Sequence, residues 1–467
     1  MARNVDTSPG ANAAVAPSAG NKVSYSTSDH LVDRHPFRPA ASFETQRQRD
    51  AGRVLHGIAP ETYDALIHAL TDVSLDPRQR AVALKHLLGY TASAEKKVLF
   101  LRKDLVPILA SVLQAPSSKT TPAVEELAAR LLRSLAIIPQ GAHCTVVEGG
   151  LEGLVTSIRN TKDADQRLAA RSAAVAAVVQ IASCWDGREW LLGLDGASGM
   201  QFPDRAAPSS TEAQRDALAR ETCDTLSHVL DNETDVQLVT LALQAVSLIT
   251  MEPKGLQLCL IAGALRSTSK IFQRRIDAGL ELRDGDDPAT AMLLHAVSVV
   301  GHIAMDAVGK REATELPLFR QLTHIGLAAI ASAPDSLFQL KSALMACGCA
   351  LALHVELKST AIVKHETTAG PCSFLEAAVK LLRHANRLHD PMASAKKRNE
   401  PNPFEHIRLL DVQSVVKSCV QVVRLLCELP AARAAVHKLL PVQEEYDLRR
   451  QLFYATDFQE EFSVRPV

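Results

Sequence analysis

The residues best equipped for chemistry lie in the C-terminal half of a 467-residue chain. Cys347, Cys349, His354, His365 and Cys372 are the ligand types zinc prefers. Their spacing argues against a metal: Cys347 and Cys349 sit two apart on an expected helix and point to different faces. No CxxC knuckle accompanies them, so they read as small thiols in an Ala-rich core. Asp284-Gly285-Asp286-Asp287 lacks the alternating ligands and terminal Glu of a calcium loop and reads as a solvated turn. His295 and His302, seven apart, share one helical face, but no acid or nucleophile motif stands beside them. The motifs for phosphate cradles, zinc proteases and serine nucleophiles are absent. No enzyme activity, cofactor or metal is therefore expected.

Two segments are better suited to holding another macromolecule. Lys396-Lys397-Arg398 is a basic run in what reads as an inserted loop, able to meet an acidic surface, although most such runs are simply solvated. The C-terminal tail, residues 441–467, carries Tyr454, Phe458 and Phe462. Spaced by four, these rings would line one face of a helix. That helix could cap a last repeat or dock on a partner, and the sequence leaves both roles open.

The elements that must position these groups are helical. Hydrophobic residues make up 47% of the chain but aromatic ones only 4%, so the apolar mass is Ala, Leu and Val, a palette poor in the rings of sheet proteins. Lys+Arg (51) and Asp+Glu (52) nearly cancel, without the basic excess of a nucleic-acid binder. Nine cysteines scattered through apolar segments form no disulfide framework, which points to a reducing compartment. The N-terminal residues have no apolar core of signal-peptide length. The longest uncharged runs, Val236–Met251 and Ala289–Met305, are shorter than the roughly 20 residues of a membrane span. A soluble cytoplasmic protein is expected, with protein partners and with no nucleic acid, membrane or small-molecule substrate.

Residues 1–50 read as disordered or extended. From 51 to 440 one order of pieces recurs: a short helix, a break, a second helix, a polar loop and a longer third helix. Gly141–Gly150, Leu151–Ile158 and Gln166–Ala182 make one such unit. Lys96–Leu101, Leu105–Leu113 and Ala123–Ile138 precede it, and Gly255–Ile261, Ala264–Phe272 and Ala289–Met305 follow it. Pro77–Tyr90, Thr234–Thr250, Ser336–His354 and Val412–Leu429 complete a set of seven third helices. A period near 40–47 residues belongs to armadillo and HEAT units, which bury their apolar faces by stacking. The expected fold is an all-α, right-handed superhelical solenoid of about seven repeats, with inserted loops near 186–216 and 386–403. Gly149/Gly150 and Gly263 stand where a sharp turn needs positive φ, and Gly150 is the residue expected to adopt it.

The repeat blocks resemble the armadillo superfamily. Within it, Phe100-Leu101-Arg102-Lys103-Asp104-Leu105-Val106, Ile138-Pro139-Gln140-Gly141-Ala142-His143, Val147-Glu148-Gly149-Gly150-Leu151 and the upstream Arg78–Leu84 are similar to the armadillo-repeat radial spoke head proteins of cilia and flagella. The likeness covers residues 75–185 well and 215–310 loosely. It implies a non-enzymatic scaffold of the ciliary or flagellar axoneme, with radial spoke or other axonemal proteins as partners. The alternative is a cytosolic armadillo adaptor in signalling or trafficking. The Trp and Asn ladders of importin-type repeats are missing from Leu168–Gln180 and Val236–Val246.

Overall fold

A computed structural model describes residues 60–72, 75–115, 120–194, 211–283, 287–332, 335–368, 370–398, 401–404, 406–440 and Leu452. The chain divides into two units, residues 1–71 and 72–467. The described part of the first is one helix, α1 (Pro60–Thr71), with Tyr63, Ile67 and Leu70 buried along a single stripe.

The second unit contains α2 (Pro77–Tyr90), α3 (Ala94–Arg102), α4 (Leu105–Gln114), α5 (Pro122–Leu135), α6 (Pro139–Val147), α7 (Gly150–Arg159), α8 (Ala164–Ala182), α9 (Trp185–Leu191), α10 (Glu212–Asn232) and α11 (Val236–Ile249). These are followed by α12 (Pro253–Ile261), α13 (Ala264–Asp277), α14 (Pro288–Ile303), α15 (Ala307–Ala313), α16 (Leu318–Ser332), α17 (Phe338–Ala352), α18 (Val355–Thr360), α19 (Phe374–Arg398), α20 (Leu409–Leu426) and α21 (Pro430–Leu439). Among the described residues the only β pairing is one bridge, His365 to Cys372.

Local chemistry starts these helices. Pro occupies the first turn of α2, α5, α6, α12, α14 and α21, where its missing N–H costs no helix bond. Asp76, Asp235, Asp287 and Asp306 accept hydrogen bonds from the first free backbone amides of α2, α11, α14 and α15, satisfying donors that the helix itself leaves open.

Packing then assembles a solenoid from triplets. Helices α3–α5, α6–α8, α9–α11, α12–α14, α15–α17 and α18–α20 each supply a short first, a second and a third helix. The seven third helices, α2, α5, α8, α11, α14, α17 and α20, stack each on the next, and α4, α7, α10, α13, α16 and α19 form a parallel row behind them. All seven third helices expected from the sequence are present, shifted by a few residues at their ends. Small residues allow close stacking: Ala170, Ala174, Ala177 and Ala182 of α8 are wholly buried.

Several local expectations need correction. The positive φ falls on Gly149 (82°), which caps α7, and Gly150 is already helical. Gly263 (79°) caps α13 as expected, whereas Asp104 (53°) does this work before α4. The supposed loop 186–216 begins inside α9, and α10 starts at Glu212 behind a Thr211–Gln214 capping box. The supposed loop 386–403 is helical to Arg398 despite Pro391. Its charges suggested a loop, but Leu388, Met392 and Ala395 continue the buried stripe of α19, and that stripe holds the helix.

Candidate protein-interaction surface

A common register relates the third helices. Tyr90, Leu135, Ile181, Ile249, Ile303, Leu351 and Leu426 are buried, and each stands three residues before the cap of the next first helix. Two residues past this position the chain turns outward. There Ile137, Met251, Met305 and Leu353 are 56%, 55%, 62% and 51% exposed. Ser183 takes the place in α8's unit, with Trp185 exposed two residues later. Because the third helices stack side by side at 8–10 Å, these side chains form an apolar row along one edge of the array. Val308 and Val355, at the starts of α15 and α18, widen it.

The same face is almost uncharged in its middle. Helices α11 and α14 contain no Asp, Glu, Lys or Arg. The charges of α8 beyond its first turn, Arg167 and Arg171, and that of α17, Lys341, are buried. Gln237, Gln244 and Gln339 supply amide donors and acceptors instead. Apolar side chains exposed in a row beside polar amides mark places where proteins meet proteins.

Buried ion pairs stiffen this surface from behind. Arg167 of α8 is paired with Glu125 of α5, both almost fully buried. Arg171 donates to the Ile158 carbonyl (2.9 Å) and to Glu233 (2.5 Å), joining α7, α8 and the cap of α10. Arg188 of α9 reaches Glu252, the cap of α12, at 3.2 Å and the Ala182 carbonyl at 3.1 Å. Each pair crosses from one triplet to the next, so the triplets are held in register as well as stacked.

The residues singled out by chemistry take structural places. Cys347 is buried in α17, and Cys349 is half-buried beside it. His365 and Cys372 exchange backbone N–H···O bonds of 3.0 Å. Among the described residues no group of three or more His, Cys, Asp or Glu could hold a metal ion. Asp287 caps α14, while Asp284 to Asp286 lie outside the described residues. His295 and His302 are half-buried in α14, and burial holds both below the ordinary imidazole value. His302 Nδ1 lies 3.1 Å from the Ser247 carbonyl and 3.1 Å from Thr250 Oγ1, tying α14 to α11.

Of the suggested contact residues, Lys396, Lys397 and Arg398 form the exposed last turn of α19, where cations suit the helix dipole. Tyr454, Phe458 and Phe462 lie outside the described residues. Leu452, just before them, is buried, and its carbonyl accepts a 3.2 Å bond from Arg424 Nε of α20. The apolar row itself escaped sequence reading. Its signal was one large apolar residue at a fixed offset in four of the units, visible only once the triplets are aligned by their buried positions.

No single helix among the described residues is long and apolar enough to cross a membrane. No family model and no curated protein matches the sequence. Among solved structures, one concerning the interaction between cadherin and beta-catenin matches with a TM-score of 0.57 at 14% identity. The match covers 85% of this chain and 62% of that one, so the chain spans less than two thirds of its neighbour's length. Beta-catenin is an armadillo-repeat protein, and the likeness gives this chain an armadillo-type fold.

Proposed function

We propose that this chain is a non-enzymatic scaffold of the ciliary or flagellar axoneme, a radial spoke component that holds partner proteins along its third-helix face. The observation that carries the scaffold reading is the apolar row Ile137, Met251, Met305 and Leu353 beside third helices that carry almost no exposed charge in the middle of the array. A solenoid spreads such contacts over several repeats, and several weak contacts together retain a partner firmly. The compartment rests only on the resemblance of residues 75–185 to radial spoke head proteins. The tail residues Tyr454, Phe458 and Phe462, and Lys396, Lys397 and Arg398, are the proposed second points of attachment.

The rival is a cytosolic armadillo adaptor, favoured by the likeness to a structure concerning a cadherin–beta-catenin interaction. Extraction separates the two. A tagged chain stays with demembranated axonemes in moderate salt if it is a spoke component, and a Met251→Asp/Met305→Asp variant is released. Recovery of the wild-type chain wholly in the detergent-soluble fraction overturns the axonemal reading and leaves the adaptor.

A further inference from the structure

The third-helix face is not electrically even. Its middle exposes no formal charge beyond the first turn of α8, yet α2 and α5 expose Arg78, Lys85, His86, Arg130 and Arg133. Lys85 and Arg130 stand at the same register, five residues before Tyr90 and Leu135, on helices that pack side by side. Arg133 follows nearly one turn on. The carboxylate beside them on α5's surface, Glu126, is engaged by Arg130 at 3.2 Å. Its neighbour Glu125 is buried against Arg167. Lys85 and Arg133 form no ion pair among the described residues, whereas Arg78 stands beside the Asp76 cap, whose carboxylate accepts from its backbone N–H at 2.9 Å. Cations that outnumber the carboxylates on one face create a positive field that favours an anionic partner. Four residues after Arg133, Ile137 begins the apolar row, so the cationic patch runs directly into it.

We propose that the α2–α5 end of the third-helix face docks an acidic segment of a partner protein. Its carboxylates face Lys85, Arg130 and Arg133, and its apolar side chains continue over Ile137 toward Met251. This rests on the reading that the third-helix face is the partner surface. The cations fix register and speed association more than they add affinity, while burial of the row supplies the apolar contribution. A nucleic acid suits the surface poorly. Its regularly spaced phosphates would run off two cationic helices onto four that offer neither charge nor an aromatic stacking row.

The test uses the full chain and fluorescent peptides of about 16 residues, which reach about 55 Å when extended. One half is Glu/Ser and the other Leu/Ser, made in both orders, with anisotropy read at low and moderate salt. At least one order binds, weakens with added salt, and loses about tenfold in affinity to a Lys85→Glu/Arg133→Glu variant, the scale of two exposed ion pairs turned repulsive. Lys438→Glu on α21 leaves binding unchanged, and matching thermal melts show that the variants are folded. The proposal is overturned if neither peptide binds, if the charge reversal leaves affinity unchanged, or if a single-stranded RNA binds more tightly than both peptides. Loss of binding in Met251→Asp/Met305→Asp alone keeps the partner surface and removes the acidic assignment. Unchanged binding in both double variants removes both.

Discussion

The carbonyl oxygen of Leu135 occupies the space that a side chain on Gly141 would need. A Cβ there would come within 3.0 Å of it, closer than real Cβ atoms approach. The same relation joins Ile181 to Gly187, Ile249 to Gly255 and Ile303 to Gly309. In each case the glycine stands six residues after its partner, a buried residue at the end of a third helix, and in the first turn of the next first helix. The chain bends by 115° between α8 and α9 and by 119° between α14 and α15. So sharp a bend sets the new helix against the end of the old one, and only a residue without Cβ fits.

Gly141→Val and Gly255→Val should therefore destabilise the array by roughly 1–3 kcal/mol each, the range for overpacking. Gly89→Ala, in α2 with no neighbour near the new methyl, should be neutral or stabilising by up to about 1 kcal/mol. Urea unfolding midpoints that move together for the three variants would count against the close approach.

Backbone conformation gives a separate test at the break before α7. Gly149→Ala should cost about 1–2 kcal/mol, because a Cβ is strained at its φ of 82°. Gly149→Asn should cost less, since Asn tolerates that region and Asp104 adopts it one unit earlier. Thermal midpoints of the two variants check the order.

The pair Arg167–Glu125 is buried on both sides, so breaking it leaves a charge without a partner. Arg167→Met alone should cost about 3–5 kcal/mol, whereas Glu125→Leu/Arg167→Met should lose much less. A double-mutant cycle in denaturant reads the coupling directly. Strict additivity of the two single changes would remove the pair from the account.

Acid should weaken the fold before its carboxylates titrate. Burial holds His143, His295, His302, His324 and His365 below the ordinary imidazole value of 6.5. The unfolded chain then takes up protons first, so stability is full above 6.5 and falls as the pH drops through it. The hydrogen bond from Lys254 holds Asp216 below the usual carboxylate value of 3.8, which places its loss much lower on the scale. Melting temperatures should fall between about pH 7.5 and 5.5, and His302→Gln should flatten that slope.

The sequence alone determined the all-helical character and the seven third helices. Apolar periodicity, proline at first turns and the caps Asp76, Asp235, Asp287 and Asp306 act within a few residues of one another. Tertiary structure decided what depends on stacking. Arg167 finds Glu125 across 42 positions, and Arg171 finds Glu233 across 62. Gly141 matters because of a carbonyl from the preceding helix, and Pro391 stays helical because the stripe of α19 is buried. Ile137, Met251, Met305 and Leu353 become one surface only when four separate repeats share a register. A chain's local pattern encodes the face each helix must bury. Which residues meet across or beside that face is set by the packing of helices that are distant in sequence.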